Sequence, residues 1–183
     1  ILLGLVGSEM CIRDSNDNRG SFFESYSSKN FKENGLPTHF VQDNEVSSKK
    51  GVLRGLHYQL EFPQGKLVRA VFGTILDVAV DIRLGSPTYG RYVTVELSAE
   101  NKKMLYVPEG FAHGYLVLSD KSTVTYKCTN FYNPNDEYGI KWNDKTIDVD
   151  WGNNFPIISK KDENLPFLKY QKLLPKYQSL PDL

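Results

Sequence analysis

Short apolar segments with a two-residue period recur along the chain and limit its fold more than any other feature of the sequence. In the segment 74–82, TILDVAVDI, apolar residues at even positions alternate with Asp77, Ala79 and Asp81. The segment 92–97, YVTVEL, alternates in the same way. From Arg19 onward, Gly, Pro, Asn and Asp interrupt such segments about every eight to twelve residues. A period of two indicates half-buried strands, and the regular interruptions indicate an all-β fold.

The same pattern of short apolar segments and turn residues predicts the remaining elements. We predict further strands at 40–45, 51–60, 66–72, 104–107, 114–118 and 122–130. The segment 27–35, SSKNFKENG, has a serine cap, helix-forming residues and a terminal glycine, which predict one short helix. After Asn133, Pro134, Pro156, Pro166 and Pro175 interrupt the chain, so we expect loops and short helices on the sheet edges. About eight or nine strands with few helices favour a double-sheet jelly roll, with a closed barrel of another topology as the alternative.

Composition excludes several classes of protein. A chain of 183 residues corresponds to roughly one domain. Its 22 basic and 22 acidic residues cancel, so no net charge draws it to nucleic acid or an anionic membrane. No apolar run is long enough for a membrane-spanning helix. Two cysteines, Cys11 and Cys128, far apart, predict no disulfide framework and fit the cytoplasm.

The strand segment VLRGLHYQ holds the most informative polar residues. Arg54, His57 and Gln59 would all need burial partners there, and a sheet interior tolerates so many polar groups only around a cavity. Strict alternation places Arg54 and His57 on opposite faces. A bulge at Gly55 would turn both inward, as bulges do beside active sites. We interpret His39, which has no charged neighbour, as a structural histidine.

The histidines do not have the spacing of a metal site. Jelly-roll metal centres need two or three imidazoles and a carboxylate, and they commonly begin with His-x-His. Neither His57 nor His113 has a second histidine two residues on. The chain also has no nucleophile elbow, phosphate loop or dinucleotide fingerprint, so acyl transfer, kinase and nicotinamide chemistry have no support. We therefore expect no metal and no cofactor.

A series of segments in fixed order resembles one known family. The segments are DNRGSFFESY, FVQDNE, GVLRGLHYQ, QGKLVRAVFGTILDVAVDIR, SAENK, VPEGFAHGY, YKCTNFYNPNDE and SKKD. This order resembles the RmlC family of dTDP-4-dehydrorhamnose 3,5-epimerases, and the likeness runs from about residue 18 to beyond residue 162. The resemblance implies a cupin jelly roll, that is, a double-stranded β-helix with a few short peripheral helices. It also implies a homodimer that works without metal or cofactor.

The resemblance implies a role for each matching residue. His57 would be the base that removes the C–H protons of the sugar, and Asp162 would orient it. Tyr126 would be the acid on the opposite ring face, and Lys66 would stabilise the enolate oxygen at the C4 ketone. Eight more residues match positions that line the nucleotide-sugar site: Arg19, Glu24, Gln42, Asn44, Arg54, His113, Tyr132 and Glu137. These residue types suit the reaction, because inversion beside a ketone needs a base, an opposed acid and a donor for the developing oxyanion.

The implied function is epimerisation at C3 and C5 of dTDP-4-dehydro-6-deoxy-D-glucose in dTDP-L-rhamnose biosynthesis. One alternative is an epimerase that acts at a single carbon of a related dTDP-4-keto-sugar. Another is a non-catalytic sugar-binding cupin or a metal-dependent cupin. A binding module has no use for an acid–base pair, so the presence of His57, Lys66, Tyr126 and Asp162 together favours an enzyme.

The N-terminal segment departs from the family pattern. The family has a strand and a proline-containing turn before its Arg-Gly motif, where this chain has ILLGLVGSEMCIRDSN. The stretch ILLGLV lacks the basic leader and cleavage site of a signal peptide, and GSEMCIRDS is similar to translated adapter sequence. We expect residues 1–16 to be non-native or disordered and residues 17–183 to form a single domain. The family exchanges N-terminal strands in its dimer, so Arg19 and Glu24 would serve the partner's site.

Overall fold

The computed structural model describes residues 5–6 and 14–177, which form twelve strands and two short α-helices. The strands are β1 (Leu5–Val6), β2 (Asp14–Asp17), β3 (Gly20–Phe23), β4 (Gln42–Lys49), β5 (Leu53–Gln59), β6 (Lys66–Phe72), β7 (Thr74–Asp81), β8 (Tyr92–Ser98), β9 (Met104–Val107), β10 (Phe111–Val117), β11 (Lys121–Cys128) and β12 (Glu137–Gly139). The helices are α1 (Ser28–Glu33) and α2 (Lys160–Glu163), with 3₁₀ turns at Pro134–Asp136 and Leu168–Tyr170. No helix in these ranges is long and apolar enough to cross a membrane.

Ten of these strands form two antiparallel sheets. The first sheet has the order β1-β9-β6-β11-β4, and the second has the order β12-β5-β10-β7-β8. Most neighbours within a sheet are distant in sequence, so the chain repeatedly crosses from one sheet to the other. Strands β2 and β3 form a separate hairpin. This arrangement confirms the predicted all-β jelly roll with few short helices.

A continuous apolar core fills the space between the two sheets. Its buried members are Val68, Ala70, Ile75, Ala79, Leu97, Leu105, Val107, Phe111, Tyr115, Val117 and Val124. They come from β6, β9 and β11 of the first sheet and from β7, β8 and β10 of the second. The alternation in these strands is the pattern that a β-sandwich needs, because every second residue points into the shared core.

Strand β7 is buried on both faces, and this corrects the prediction of a half-buried strand. One face, with Ile75 and Ala79, packs in the core between the sheets. The other face, with Val78 and Val80, packs against the segment 140–174, whose buried residues include Trp151. Local alternation cannot reveal this second layer, because the segment that covers it begins about sixty residues further along the chain.

Helix α1 covers part of the outer face of the first sheet in a similar way. Phe31 of α1 is buried with Leu67, Met104 and Tyr106. The helix lies inside the predicted segment 27–35 and is followed by Gly35, whose φ of 69° lies in the left-handed region that glycine favours. On β4, by contrast, every second residue is exposed.

The predicted strand bounds lie within four residues of the observed ones. Strands β6 and β9 have the predicted bounds, whereas β4 runs four residues further and β10 begins three residues earlier. Strand β12 has only three residues and was not predicted; its pairing with β5 defines it. Of the N-terminal segment, residues 1–4 and 7–13 lie outside the described residues. The expected division of the chain at residue 16 thus stays a prediction.

Candidate active site

A cavity of about 570 Å³ lies between the two sheets. Its walls come from β4, β6 and β11 of the first sheet, from β5, β10 and β12 of the second, and from residues 157–162. Ten of the twelve predicted site residues line it: Gln42, Asn44, Arg54, His57, Lys66, His113, Tyr126, Tyr132, Glu137 and Asp162. Arg19 and Glu24 do not line the cavity of their own chain. The fold thus brings together residues that are up to 120 positions apart in sequence.

A bulge in β5 places Arg54 and His57 on the same cavity wall. In the pairing with β10, His57 lies opposite His113 and Arg54 lies opposite Tyr115. Two residues of β5, 55 and 56, therefore face the single residue 114. Gly55 has a φ of 113°, and a Cβ added there would lie 2.5 Å from the His113 carbonyl oxygen. The bulge expected at Gly55 is confirmed, and only glycine fits it.

The ring of His57 is oriented by the carboxylate of Asp162. Its Nε2 lies 2.7 Å from Oδ1 of Asp162, which is buried on α2. Ser159 caps this short helix by accepting a hydrogen bond from the Asp162 amide. Burial alone would raise the pKa of Asp162, but its hydrogen bonds with His57, Gly55 and Ser159 outweigh burial and hold the pKa below its usual value. An ionised carboxylate at Nε2 fixes the ring and supports an imidazolium.

A second carboxylate lies on the other side of the same ring. Oε1 of Glu137 is 3.8 Å from His57 Nδ1, while Oε2 accepts hydrogen bonds from Tyr132 and Lys161. Burial would raise the pKa of Glu137, but these hydrogen bonds lower it below its usual value. Lys161 lines the cavity and was not predicted. Nothing in the run SKKD distinguishes it from Lys160, since only the position of α2 turns one of the two inward.

Lys66, at the start of β6, is enclosed by the cavity rather than solvated at a sheet edge. Burial lowers the pKa of its ammonium group, and the nearby Cys128, Glu137 and Asp77 offset part of this effect. Among the described residues, no acceptor forms a hydrogen bond with its Nζ. The charge of Lys66 is therefore available to a ligand inside the cavity.

Tyr126 lies on β11, opposite Asn44 of β4 and Val68 of β6. Burial raises the pKa of its phenol. The hydroxyl therefore stays protonated near neutral pH and can act as a proton donor. Because Tyr126 belongs to the first sheet and His57 to the second, the two side chains line the cavity from opposite sheets.

His113 has a carboxylate partner that its sequence neighbourhood does not reveal. Its ring Nε2 lies 2.7 Å from Oδ1 of Asp77, a fully buried residue of β7. The available signal was a carboxylate at the centre of an apolar strand. Such a residue is seldom fully buried without a partner. Gln42 and Asn44 share one face of β4, since the Gln42 amide donates to Asn44 Oδ1 at 3.0 Å and both residues line the cavity.

Within the described part of the chain, no group of three or more His, Cys, Asp or Glu side chains is arranged to hold a metal ion. The absence of metal and cofactor from the reaction stays a prediction.

Comparison with known proteins identifies the relatives of this chain. Residues 8–170 match the family model for dTDP-4-dehydrorhamnose 3,5-epimerase. A curated protein of that name from Shigella flexneri is 57% identical over 150 residues, which cover 81% of this chain and 83% of the relative. Another, from Methanothermobacter thermautotrophicus, is 54% identical over 151 residues, with 81% and 82% covered.

Solved structures give the same result. The Legionella pneumophila dTDP-6-deoxy-D-glucose-3,5-epimerase, in complex with dTDP-4-keto-L-rhamnose, matches with a TM-score of 0.88 and 47% identity over 91% of each chain. The Streptomyces bikiniensis 3'-monoepimerase ChmJ, in complex with dTDP-quinovose, matches with a TM-score of 0.84 and 35% identity, covering 90% of this chain and 86% of that one. The chain therefore belongs to the dTDP-4-dehydrorhamnose 3,5-epimerase family, whose members are isomerases.

Proposed function

We propose that this chain inverts C3 and C5 of dTDP-4-dehydro-6-deoxy-D-glucose, a step of dTDP-L-rhamnose biosynthesis. One observation carries the proposal: a histidine backed by a buried carboxylate and a protonated phenol line the same cavity from opposite sheets. This is the arrangement that inversion requires, because the proton leaves one face of the sugar and a proton arrives at the other.

In the proposed first half-reaction, His57 removes the proton. The C–H bond beside the C4 ketone breaks, the proton moves to the Nδ1 of His57, and the electron pair moves onto the C4 oxygen as an enolate. Asp162 at Nε2 stabilises the resulting imidazolium. The unpaired ammonium of Lys66 stabilises the enolate oxygen, as a preorganised cation in a water-poor site does.

In the second half-reaction, Tyr126 donates its phenolic proton to the same carbon from the opposite face. The enolate collapses to the ketone, the configuration at that carbon is inverted, and the phenolate regains a proton from solvent. His57 loses its proton to solvent before the next abstraction. The same two groups then act at the second carbon, so one base and one acid account for both inversions.

The remaining cavity residues are proposed to bind the nucleotide sugar. Arg54 supplies positive charge for the diphosphate, because two phosphates need cationic partners. The other proposed contacts are Gln42, Asn44, His113, Tyr132 and Glu137. No metal or cofactor takes part in this scheme, so activity is expected to survive treatment with a chelator.

We also propose a homodimer that exchanges N-terminal strands. The hairpin of β2 and β3 carries Arg19, whose side chain is 91% exposed, and Phe22, which is 60% exposed. Neither Arg19 nor Glu24 reaches the cavity of its own chain. An exposed aromatic residue beside two site residues that do not reach their own cavity supports the proposal that both act in the partner's cavity.

We propose a cytoplasmic location for this protein. The buried free thiol of Cys128 supports this location, and cell fractionation would test it.

Proton NMR of dTDP-4-dehydro-6-deoxyglucose with the enzyme in deuterated water tests the function. Loss of the signals at both C3 and C5, together with rhamno product, is expected. Loss at C3 alone would support a single-carbon epimerase, a candidate favoured by the 35% identity to ChmJ. No exchange at either carbon would refute both and leave a sugar-binding role.

Variants then separate base from acid. His57→Ala is expected to abolish exchange and product, with a loss of about 10²–10⁴-fold in rate. Tyr126→Phe keeps the ring but removes the donor, so hydrogens should exchange with little inversion. Wild-type inversion by Tyr126→Phe would exclude Tyr126 as the acid.

A further inference from the structure

Arg54 is a cation of the cavity wall whose charge is not neutralised. Arg83, by comparison, is paired at 2.7 Å with Asp81. No carboxylate in the described ranges forms an ion pair with the guanidinium of Arg54. Tyr115 lies directly opposite Arg54 across β10 and β5, but burial raises the pKa of its phenol to about 12, so it stays neutral. The full positive charge of Arg54 is therefore available to an anionic ligand group.

One hydrogen bond orients this guanidinium. Nε of Arg54 donates to Oγ of Ser48 at 3.2 Å, and no other described residue accepts a hydrogen bond from Arg54. Ser48 lies on β4, in the first sheet, while Arg54 lies on β5, in the second. The bond therefore joins the end of β4 to the start of β5, although these two strands share no ladder. Ser48 itself is held in register opposite Ser122, which is completely buried on β11.

The choice of Nε decides which edge of the guanidinium faces a ligand. A guanidinium has five N–H donors in one plane, and two parallel donors bind a phosphate best. With Nε occupied by Ser48, the edge formed by the two terminal nitrogens is left for the ligand. Without Ser48, the long arginine side chain would retain rotamer freedom, and that entropy would be lost only when the ligand binds.

We propose that Ser48 is a positioning residue that sets the orientation of Arg54 toward the diphosphate of the nucleotide sugar. The identity of the ligand rests on the proposed function, whereas the positioning itself rests on the Ser48–Arg54 contact. Ser48 touches no reacting atom in this proposal. Its effect should therefore appear in the binding of the diphosphate and not in the chemical step.

Three variants test the proposal. Ser48→Ala removes the acceptor, Ser48→Thr keeps a hydroxyl, and Ser47→Ala is the matched control. Ser47 is the next residue of the same strand, but it lies on the exposed face, where its hydroxyl contacts Thr123 at 2.9 Å. Isothermal titration calorimetry with dTDP and with thymidine separates the diphosphate contribution from that of the nucleoside, and steady-state kinetics separates KM from kcat.

We expect Ser48→Ala to weaken dTDP binding by about tenfold, equivalent to ~1.4 kcal/mol, and to raise KM by a similar factor. Thymidine affinity and kcat should change by less than about twofold, because no contact with either the nucleoside or the reacting carbon is lost. Ser48→Thr and Ser47→Ala should bind dTDP as the wild type does. In an Arg54→Ala background, Ser48→Ala should have no further effect, since the two residues act as one unit.

Each other outcome overturns the positioning role. Unchanged dTDP affinity in Ser48→Ala would show that the contact does not orient Arg54. An equal loss of dTDP and thymidine affinity would show a general packing defect instead, as would a full effect of Ser48→Ala in the Arg54→Ala background. If the wild type binds dTDP but does not epimerise the keto-sugar, the proposed function fails while the positioning test still stands.

Discussion

Burial moves the pKa values of Lys66 and Tyr126 in opposite directions, and each shift serves a different chemical need. The lowered pKa of Lys66 reflects an ammonium group removed from water, where its charge acts on a nearby oxygen with little screening. The raised pKa of Tyr126 keeps a proton on the phenol. The ring of His57 is flanked by the carboxylates of Asp162 and Glu137. Single residues thus acquire their roles from what surrounds them, which their sequence positions alone do not show.

Lys66→Ala should slow turnover far more than it weakens binding. The enolate oxygen would lose its preorganised cation, a loss that typically costs about 2.7–4 kcal/mol in the transition state, or roughly 10²–10³-fold in kcat. Steady-state kinetics with dTDP-4-dehydro-6-deoxyglucose measures the change, with Lys50→Ala, on the exposed turn after β4, as the control. A variant with wild-type kcat and a raised KM would instead identify Lys66 as a phosphate contact.

At the scale of whole elements, local pattern and tertiary contact contribute differently. Local pattern alone predicts β6 and β9 with their observed bounds, because Gly73 ends the first apolar segment and Pro108 ends the second. It cannot predict β12, whose pairing with β5 is a tertiary event. The same limit applies to the site. The segment VLRGLHYQ contains the glycine that indicates a bulge, whereas Lys161 lines the cavity only because of where α2 lies.

The bulge in β5 gives a prediction for stability. Gly55→Ala should lower the free energy of unfolding by about 2–5 kcal/mol, from its left-handed backbone and from the clash with the His113 carbonyl. Gly35→Ala is the matched control, because its φ of 69° is also left-handed but no atom lies within 4 Å of the added Cβ. Its expected cost is only about 1 kcal/mol. Urea unfolding measures both, and equal losses would show that the close approach at Gly55 is not limiting.

The connection from β7 to β8 gives a prediction for pH. Burial would raise the pKa of Asp81, but hydrogen bonds from Arg83, Ser86 and Thr88 hold it at about 2 against a usual 3.8. The ionised form therefore stabilises the fold above pH 3.8, and this contribution is lost as the pH falls toward 2. Over the whole pKa shift, the contribution of ionised Asp81 to the free energy of unfolding is about 2 kcal/mol, of which about 1 kcal/mol is lost by pH 3.

Asp81→Asn cannot titrate, so the advantage of the wild type over this variant should shrink by about 1 kcal/mol between pH 6 and pH 3. Urea unfolding at the two pH values measures it. Asp43→Asn is the control, since Asp43 contacts Lys127 only at the exposed surface and such pairs contribute about 0–1 kcal/mol. If the wild type and Asp81→Asn differ in unfolding free energy by the same amount at both pH values, Asp81 does not make stability depend on pH.

At the scale of the whole molecule, the exchanged dimer can be tested by complementation. Arg19→Ala and His57→Ala chains, co-expressed with different tags, form a mixed dimer that can be purified by both tags. If Arg19 serves the partner's cavity, one site of this dimer is intact and the other carries both changes. About half of the wild-type activity per dimer is then expected, as two-fold symmetry requires. If Arg19 served its own chain, both sites would be damaged and the mixed dimer would be as impaired as its parents.

The cavity takes its walls from two sheets that share no hydrogen-bonded ladder. A ligand seated there contacts both sheets, so its release is coupled to any opening of the sandwich at the cavity mouth. Occupancy should therefore slow amide hydrogen exchange on β4 and β5 together, although the two strands belong to different sheets. Strand β8, at the far edge of the second sheet, should be much less affected. The rate of product release would then depend on how readily the two sheets separate at the cavity mouth.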